Sequence, residues 1–216
     1  MARLANLSAL HTLLFPLVLL SRFTRYMEPY YTSGRVTLYH GRHEEILPCL
    51  RFDSIITDPP YPGSHEARYN YYDGILNPLA LMECPQAIFW TPAAAFPLDW
   101  QGLHVWDKAT GSNTQFELIY YRGIKSGYKV HRFMSPHNTV RARISGDTWT
   151  THPSQKPVQL MRRLIGEMKH SKVICDPFAG SGSTLVACKM ADRGAIGIEM
   201  NKQYCEVIIE RLDQCC

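Results

Sequence analysis

The stretch from Lys172 to Glu199 constrains the fold more than any other part of this 216-residue chain. Lys172 to Cys175 reads as a buried strand, and Asp176-Pro177-Phe178-Ala179-Gly180-Ser181-Gly182-Ser183-Thr184 follows it directly. Ser183 to Met190 has helical character, and Ala195 to Ile198 reads as a second strand. Strand, glycine turn, helix and strand in succession make a βαβ unit, whose strands run parallel. The glycines let the backbone turn tightly and approach a ligand, while the helix N-terminus offers free N–H groups. Glu199 ends the second strand about 20 residues beyond the glycines, where an acid can bond ribose hydroxyls. Glycines also cap helices and make plain turns. The strand, helix and acid around these ones favour a nucleoside cofactor in a doubly wound sheet.

The rest of the chain agrees with an α/β fold. Strands are expected at Val36–Tyr39, Phe52–Thr57, Ala87–Trp90, Leu103–Trp106 and Phe116–Tyr121. Pro59-Pro60 and Pro92 stop the second and third, because proline cannot extend a central ladder. Leu160, Met161, Leu164, Ile165 and Met168 mark one face of a helix over Val158–Lys169, and Lys202–Leu212 closes the chain as another. The composition, 45% apolar and 19% charged, is that of a globular domain. Seven cysteines without a CxxC pair point to reduced thiols in a cytoplasmic protein and to no metal centre. Residues 1–26 stand apart: Leu13 to Leu20 is wholly apolar, but His11 and Pro16 break the run a membrane span needs. An extension before Met27 that function does not require is the first reading there. A packed extra helix or membrane association are the others, and no membrane partner is expected. Residues 27–216 are taken as the functional domain.

Asp58-Pro59-Pro60-Tyr61 sits where the second strand ends, at the edge where open α/β sheets place their ligands. The residue types suit one chemistry. An amino group on a nucleobase is a poor nucleophile, because its lone pair is delocalised into the ring. Asp58 and the Pro59 carbonyl can accept its hydrogen bonds and draw it toward a tetrahedral form. Two prolines keep those acceptors aimed, and Tyr61 offers a face for an extruded base. The bland reading is a rigid surface turn.

These residues resemble a known family. DPPY (58–61) looks like the catalytic motif of amino-methyltransferases acting on DNA, and DPFAGSGST (176–184) resembles their S-adenosylmethionine-binding motif. Gly197-Ile198-Glu199 resembles the motif after it, and His152-Pro153-Ser154-Gln155-Lys156-Pro157 a segment they carry before the cofactor strand. Catalytic motif first and cofactor motif last is the circularly permuted order of the β group. The resemblance implies a Rossmann-like methyltransferase fold with S-adenosylmethionine as cofactor. Phe178, Gly180, Gly182, Thr184 and Glu199 would hold the cofactor, Asp176 would lie near its methionine part, and Lys156 and Pro157 would flank it. One position departs: relatives usually have Gly-Asp after the first strand, where this chain has Gly41-Arg42, so a neighbour substitutes or affinity falls.

Between Leu118 and Gly146 there is no acidic residue, while basic side chains alternate with Tyr120, Tyr121, Tyr128 and Phe133. The family's target-recognition region falls here, at about 118–150. Lys125, Lys129, Arg132 and Arg141 are the expected DNA contacts, against a plain solvated face. DNA is the expected partner, and so short a region implies a brief target or help from a second copy in a homodimer. Asp as the first residue of the tetrapeptide favours N6 of adenine; N4 of cytosine is the alternative, and a catalytically silent DNA-binding remnant the third reading. Methylation at cytosine C5 needs a cysteine after proline, whereas Cys84-Pro85-Gln86 has the reverse order.

Overall fold

A computed structural model describes residues 27–63, 72–110 and 115–215. The apolar N-terminal residues 1–26 fall outside that range, so the readings made for them do too. Nine strands form one sheet: β1 (Tyr31–Ser33), β2 (Val36–His40), β3 (Ser54–Thr57), β4 (Gln86–Trp90), β5 (Gly102–Asp107), β6 (Phe116–Arg122), β7 (Tyr128–Arg132), β8 (Val173–Asp176) and β9 (Gly194–Glu199). Their spatial order is β1-β2-β9-β8-β3-β4-β6-β5-β7. The run β2-β9-β8-β3-β4 is parallel throughout, so the two C-terminal strands insert between strands from the start of the chain. In that insertion the permuted order of motifs becomes three-dimensional. Antiparallel pairings join β6 to β4 and β5, and β1 to β2.

Helices cover both faces, as a buried parallel sheet requires. They are α1 (His43–Ile46), α2 (Asn77–Ala80), α3 (Thr139–Ser145), α4 (Val158–Glu167), α5 (Ser183–Met190) and α6 (Lys202–Asp213). Side chains alternate across the central strands. Ile56, Ala87, Phe89 and Ile174 pack under α4, α5 and α6, while Ile55, Ile88, Trp90 and Cys175 meet Ile46, Leu47 and Leu79 on the other face. Every residue of β3 and β4 is buried, the polar Ser54, Thr57 and Gln86 included, so their apolar residues run without alternating with exposed ones. Among the described residues no helix is long and apolar enough to cross a membrane.

The strand expected from Phe52 begins at Ser54, for a reason visible in Asp53. Its carboxylate accepts the Lys172 and Val173 N–H groups at 2.8 Å each, so it clamps the start of β8 instead of extending β3. The helix expected to Lys169 ends at Glu167, where Met168 leaves helical geometry with φ −86° and ψ 55°. In the expected recognition region, Leu118–Arg122 belongs to β6 in the sheet and Tyr128–Arg132 forms the edge strand β7.

Candidate active site

Parallel strands end on a common side, and here the ends of β2, β3, β8 and β9 meet one cavity of about 770 Å³. Gly41 follows β2, Asp58 follows β3, and Asp176 and Glu199 close β8 and β9; all four line it. Of the other residues singled out in the sequence, Pro60, Lys156, Phe178, Gly180 and Thr184 line it as well. Pro59, Tyr61, Pro157 and Gly182 are not among its described lining residues.

The Asp176–Thr184 loop is held by its own side chains. The Asp176 carboxylate accepts the Thr57 hydroxyl at 2.6 Å, the Thr184 hydroxyl at 2.5 Å and the Phe178 N–H at 3.2 Å. It therefore ties β8 to the residue before Asp58 and to the first turn of α5. Burial pushes its carboxyl above the ordinary range, against the pull of those hydrogen bonds and of the Lys156 charge. Glu199 works similarly: one oxygen accepts the Gly180 N–H at 2.8 Å, the other the Asn201 N–H at 2.7 Å. That fixes its carboxylate at the cavity wall.

The two glycines of the loop do different work. Gly180 has φ +52°, and a Cβ there would meet the His152 ring at 2.8 Å, so its bareness keeps the loop against the cavity wall. Gly182 has φ +76°, and a Cβ there would meet Ile208 of α6 at 2.8 Å. Close helix packing accounts for that one. Pro157 is the N-cap of α4 with φ −63°, and the Val158 N–H beyond it is accepted by Asp147 at 2.9 Å.

Asp58 is paired with Lys156, whose ammonium also lies 3.2 Å from Glu117. Burial opposes the Lys156 charge, but Asp58, Glu117 and Tyr61 raise its pKa well above the usual lysine range. The Tyr61 ring leans on Trp90 at 5.7 Å between centroids. Beyond Trp90 the aromatic row continues through Phe96 to Tyr120, stacked at 4.2 Å.

Several lining residues were missed in the sequence. His152 packs on Tyr204 at 4.5 Å, and burial, then the charges of Lys156 and Arg211, hold its pKa down at about 4. His43 packs on Phe178 at 4.3 Å and reaches Glu44 at 3.1 Å. Arg42, the residue at the departing position, bonds Glu44 at 2.9 Å, and the Tyr72 hydroxyl donates to the same carboxylate. Glu44 thus brings a carboxylate to the cavity wall beside Arg42. HPSQKP did signal His152 but gave no role for it; His43, Glu44 and Tyr204 stood in no motif.

The basic residues of the middle are less tightly organised. Lys125 is exposed, Lys129 pairs with Glu167 at 2.7 Å, and Arg132 lies 3.5 Å from Asp107. Arg141 reaches the carbonyls of Ala109 and Thr110 at 3.4 Å.

Comparison with known proteins gives a consistent set of relatives. A family model described as DNA methylase matches residues 103–210. The DNA adenine methyltransferase YhdJ of Escherichia coli K12 is 38% identical over 74 residues, which is 34% of this chain and 25% of YhdJ. Several curated relatives are matched over only 20 to 25% of their own length. Among solved structures, the M1.HpyAVI–SAM complex has a TM-score of 0.55 at 23% identity, covering 82% of this chain and 99% of that one. The PvuII DNA methyltransferase, cytosine-N4-specific, has a TM-score of 0.62 at 14% identity, covering 86% and 89%. At these identities the structures establish a shared fold.

Proposed function

This chain belongs to the DNA methylase family, and on that basis we propose that it moves a methyl group from S-adenosylmethionine to the N6 amino group of adenine in DNA. One observation carries the proposal: a single cavity is lined both by Asp58 and Pro60 and by the Asp176–Thr184 loop with Glu199. A site for chemistry on one substrate and a site for a nucleoside cofactor thus open into the same space.

The residues suit that cofactor. Glu199, fixed by two backbone N–H groups, would accept hydrogen bonds from ribose hydroxyls. Phe178 and His43, their rings tilted 47° to one another, offer aromatic faces to a base, and the bare Gly180 lets the backbone come close. Bound there, the cofactor would supply a methyl group on a cationic sulfur. The protein's own share is positional. Lys156 holds the Asp58 carboxylate in place, so its capacity to accept from the target amine is preorganised rather than acquired on binding. Tyr61, braced from behind by Trp90, offers stacking surface to a base turned out of the duplex. Arg132 and Lys125, on or beside the exposed edge strand, would track phosphates.

Adenine is favoured by Asp at the head of the tetrapeptide and by the likeness to YhdJ. Cytosine N4 is the second reading, favoured by the likeness of fold to the PvuII enzyme. The test is to incubate the full chain with S-adenosylmethionine and duplex DNA, then identify modified nucleosides by mass spectrometry. N6-methyladenine is expected, N4-methylcytosine would select the second reading, and unmodified DNA with folded protein would overturn both.

A further inference from the structure

Behind the cavity, four charged side chains from four segments form a line of alternating sign. Asp58 follows β3, Lys156 precedes α4, Glu117 lies in β6, and Lys108 follows β5. The Lys156 ammonium pairs with Asp58 on one side and lies 3.2 Å from Glu117 on the other, and Lys108 lies 2.6 Å from the second Glu117 oxygen. Side-chain exposure is 6% for Lys156 and 8% for Glu117, so water screens this line poorly. The Phe89 and Trp106 rings stand 5.1 and 5.7 Å from the Lys156 ammonium and keep it from turning elsewhere. Glu117 does not line the cavity, and neither catalysis nor cofactor binding as described above requires it.

We infer that Glu117 is a positioning residue for methyl transfer, acting through Lys156 to set how strongly Asp58 accepts hydrogen bonds from the target amine, with Lys108 as its counterweight. This rests on the methyltransferase reading. The physical argument concerns a shared cation. One ammonium divided between two carboxylates neutralises neither fully, so Asp58 keeps acceptor strength that a private lysine would remove. Neutralising Glu117 leaves Lys156 wholly to Asp58, which becomes a weaker acceptor and a weaker base. Removing Lys108 does the opposite, because Glu117 then draws Lys156 harder. Burial works against the Glu117 charge, but Lys156 and Lys108 hold its carboxyl below the ordinary range, so it is charged at neutral pH. The other titratable groups near Lys156 are Tyr61, Asp176 and His152, and none is altered by these substitutions.

The test uses the full chain and two variants, Glu117→Gln and Lys108→Met, with folding checked by circular dichroism. Asp58 is titrated by carbon NMR on aspartate-labelled protein, its signal assigned with Asp58→Asn, and single-turnover methylation of DNA is followed against pH. Glu117→Gln should lower the Asp58 pKa and the acid limb of the rate profile together, by about one pH unit, and slow transfer at neutral pH about 10-fold. Lys108→Met should move both upward, and the double variant should match Glu117→Gln alone, because Lys108 acts only through Glu117. Such paired opposite shifts are not produced by a merely structural role. Unmoved Asp58 titration in a folded Glu117→Gln protein overturns the inference, as do shifts of the same sign in both variants. Opposite shifts in a wild type and variants that methylate nothing would keep the charge coupling and overturn the methyltransferase reading instead.

Discussion

The cofactor half and the basic middle of this protein are built on different terms. From Asp176 to Glu199 the polar side chains that line the cavity are fixed by short-range partners: Asp176 by two threonines, and Glu199 by two backbone N–H groups. Arg211 of α6 locks the same loop from below, bonding the Ser181 carbonyl at 2.6 Å and Asp147 at 2.9 Å. In the middle, the inner face of the sheet is packed, with His131 bonding His104 at 2.9 Å, but the outer face leaves Tyr128 and Val130 more than two-thirds exposed. Lys129 and Arg132 each pair with one carboxylate near the surface, where ion pairs are worth little. On the proposed reading, the cofactor site is rigid in its own right, and the surface proposed to track DNA leaves its charges loosely held until the partner arrives.

The sharpest way to break this contrast is at Asp58. Asp58→Ala should lower single-turnover methyl transfer by a factor on the order of 10² or more, comparable to losing one preorganised partner. Folding should also suffer, since the buried Lys156 loses a counter-charge; Asp58→Asn should be milder on both counts. Full activity in a folded Asp58→Ala protein would end the proposed chemistry.

Next come the two glycines. Gly180→Val should abolish cofactor binding measured by calorimetry, through its φ of +52° and the His152 ring. Gly182→Ala should instead lower stability by about 1 to 3 kcal/mol, because its Cβ meets Ile208 away from the cavity. If both variants fold equally well and bind equally well, the division of labour between the glycines is wrong.

A smaller effect is expected from pH. His152 and His131 are both held down to about 4, by burial first and then by neighbouring charges. Unfolded histidine titrates near 6.5, so as pH falls through the window from about 6.5 to about 4 the unfolded chain binds protons that the folded one refuses. Their contribution is complete above that window and gone below it. Urea midpoints measured across it should fall with acid, and His152→Asn should remove about one proton from the slope. An unchanged slope would mean that His152 titrates normally.

The smallest effects belong to the middle. Removing one cation that binds a phosphate should reduce the salt dependence of DNA binding by about one unit of slope. Lys125→Ala should show that in full and Lys129→Ala less, since Lys129 already pairs with Glu167. Slopes unchanged by replacing Lys125, Lys129, Arg132 and Arg141 together would make this a plain solvated face.

The elements around the site were largely legible in the order of residues. Ser183–Met190 forms the helix expected at those residues, and the strands at Val36, Ala87 and Ala195 lie within a residue of their expected bounds. Those segments carry strong local signals, apolar periodicity bounded by proline or glycine. The edge strands β1 and β7 carried none: β7 (Tyr-Lys-Val-His-Arg) exposes its apolar Tyr128 and Val130 while burying His131, and is a strand because β5 supplies its hydrogen bonds. Helix α3 was missed as well, although Asn138 caps it and Gly146 ends it with φ +69°.

Local sequence was enough to specify the βαβ unit, the two cavity-lining loops and the permuted order in which they occur, because each is written in residues close together along the chain. It took the folded arrangement to make Asp58 share Lys156 with Glu117, to turn Gly182 to packing rather than the cavity, and to keep His152 uncharged. Those three outcomes depend on partners that local patterns do not pair, such as Asp58 and Lys156, 98 residues apart. A charge's neighbours, and hence its behaviour, exist only once the sheet has brought its strand ends together.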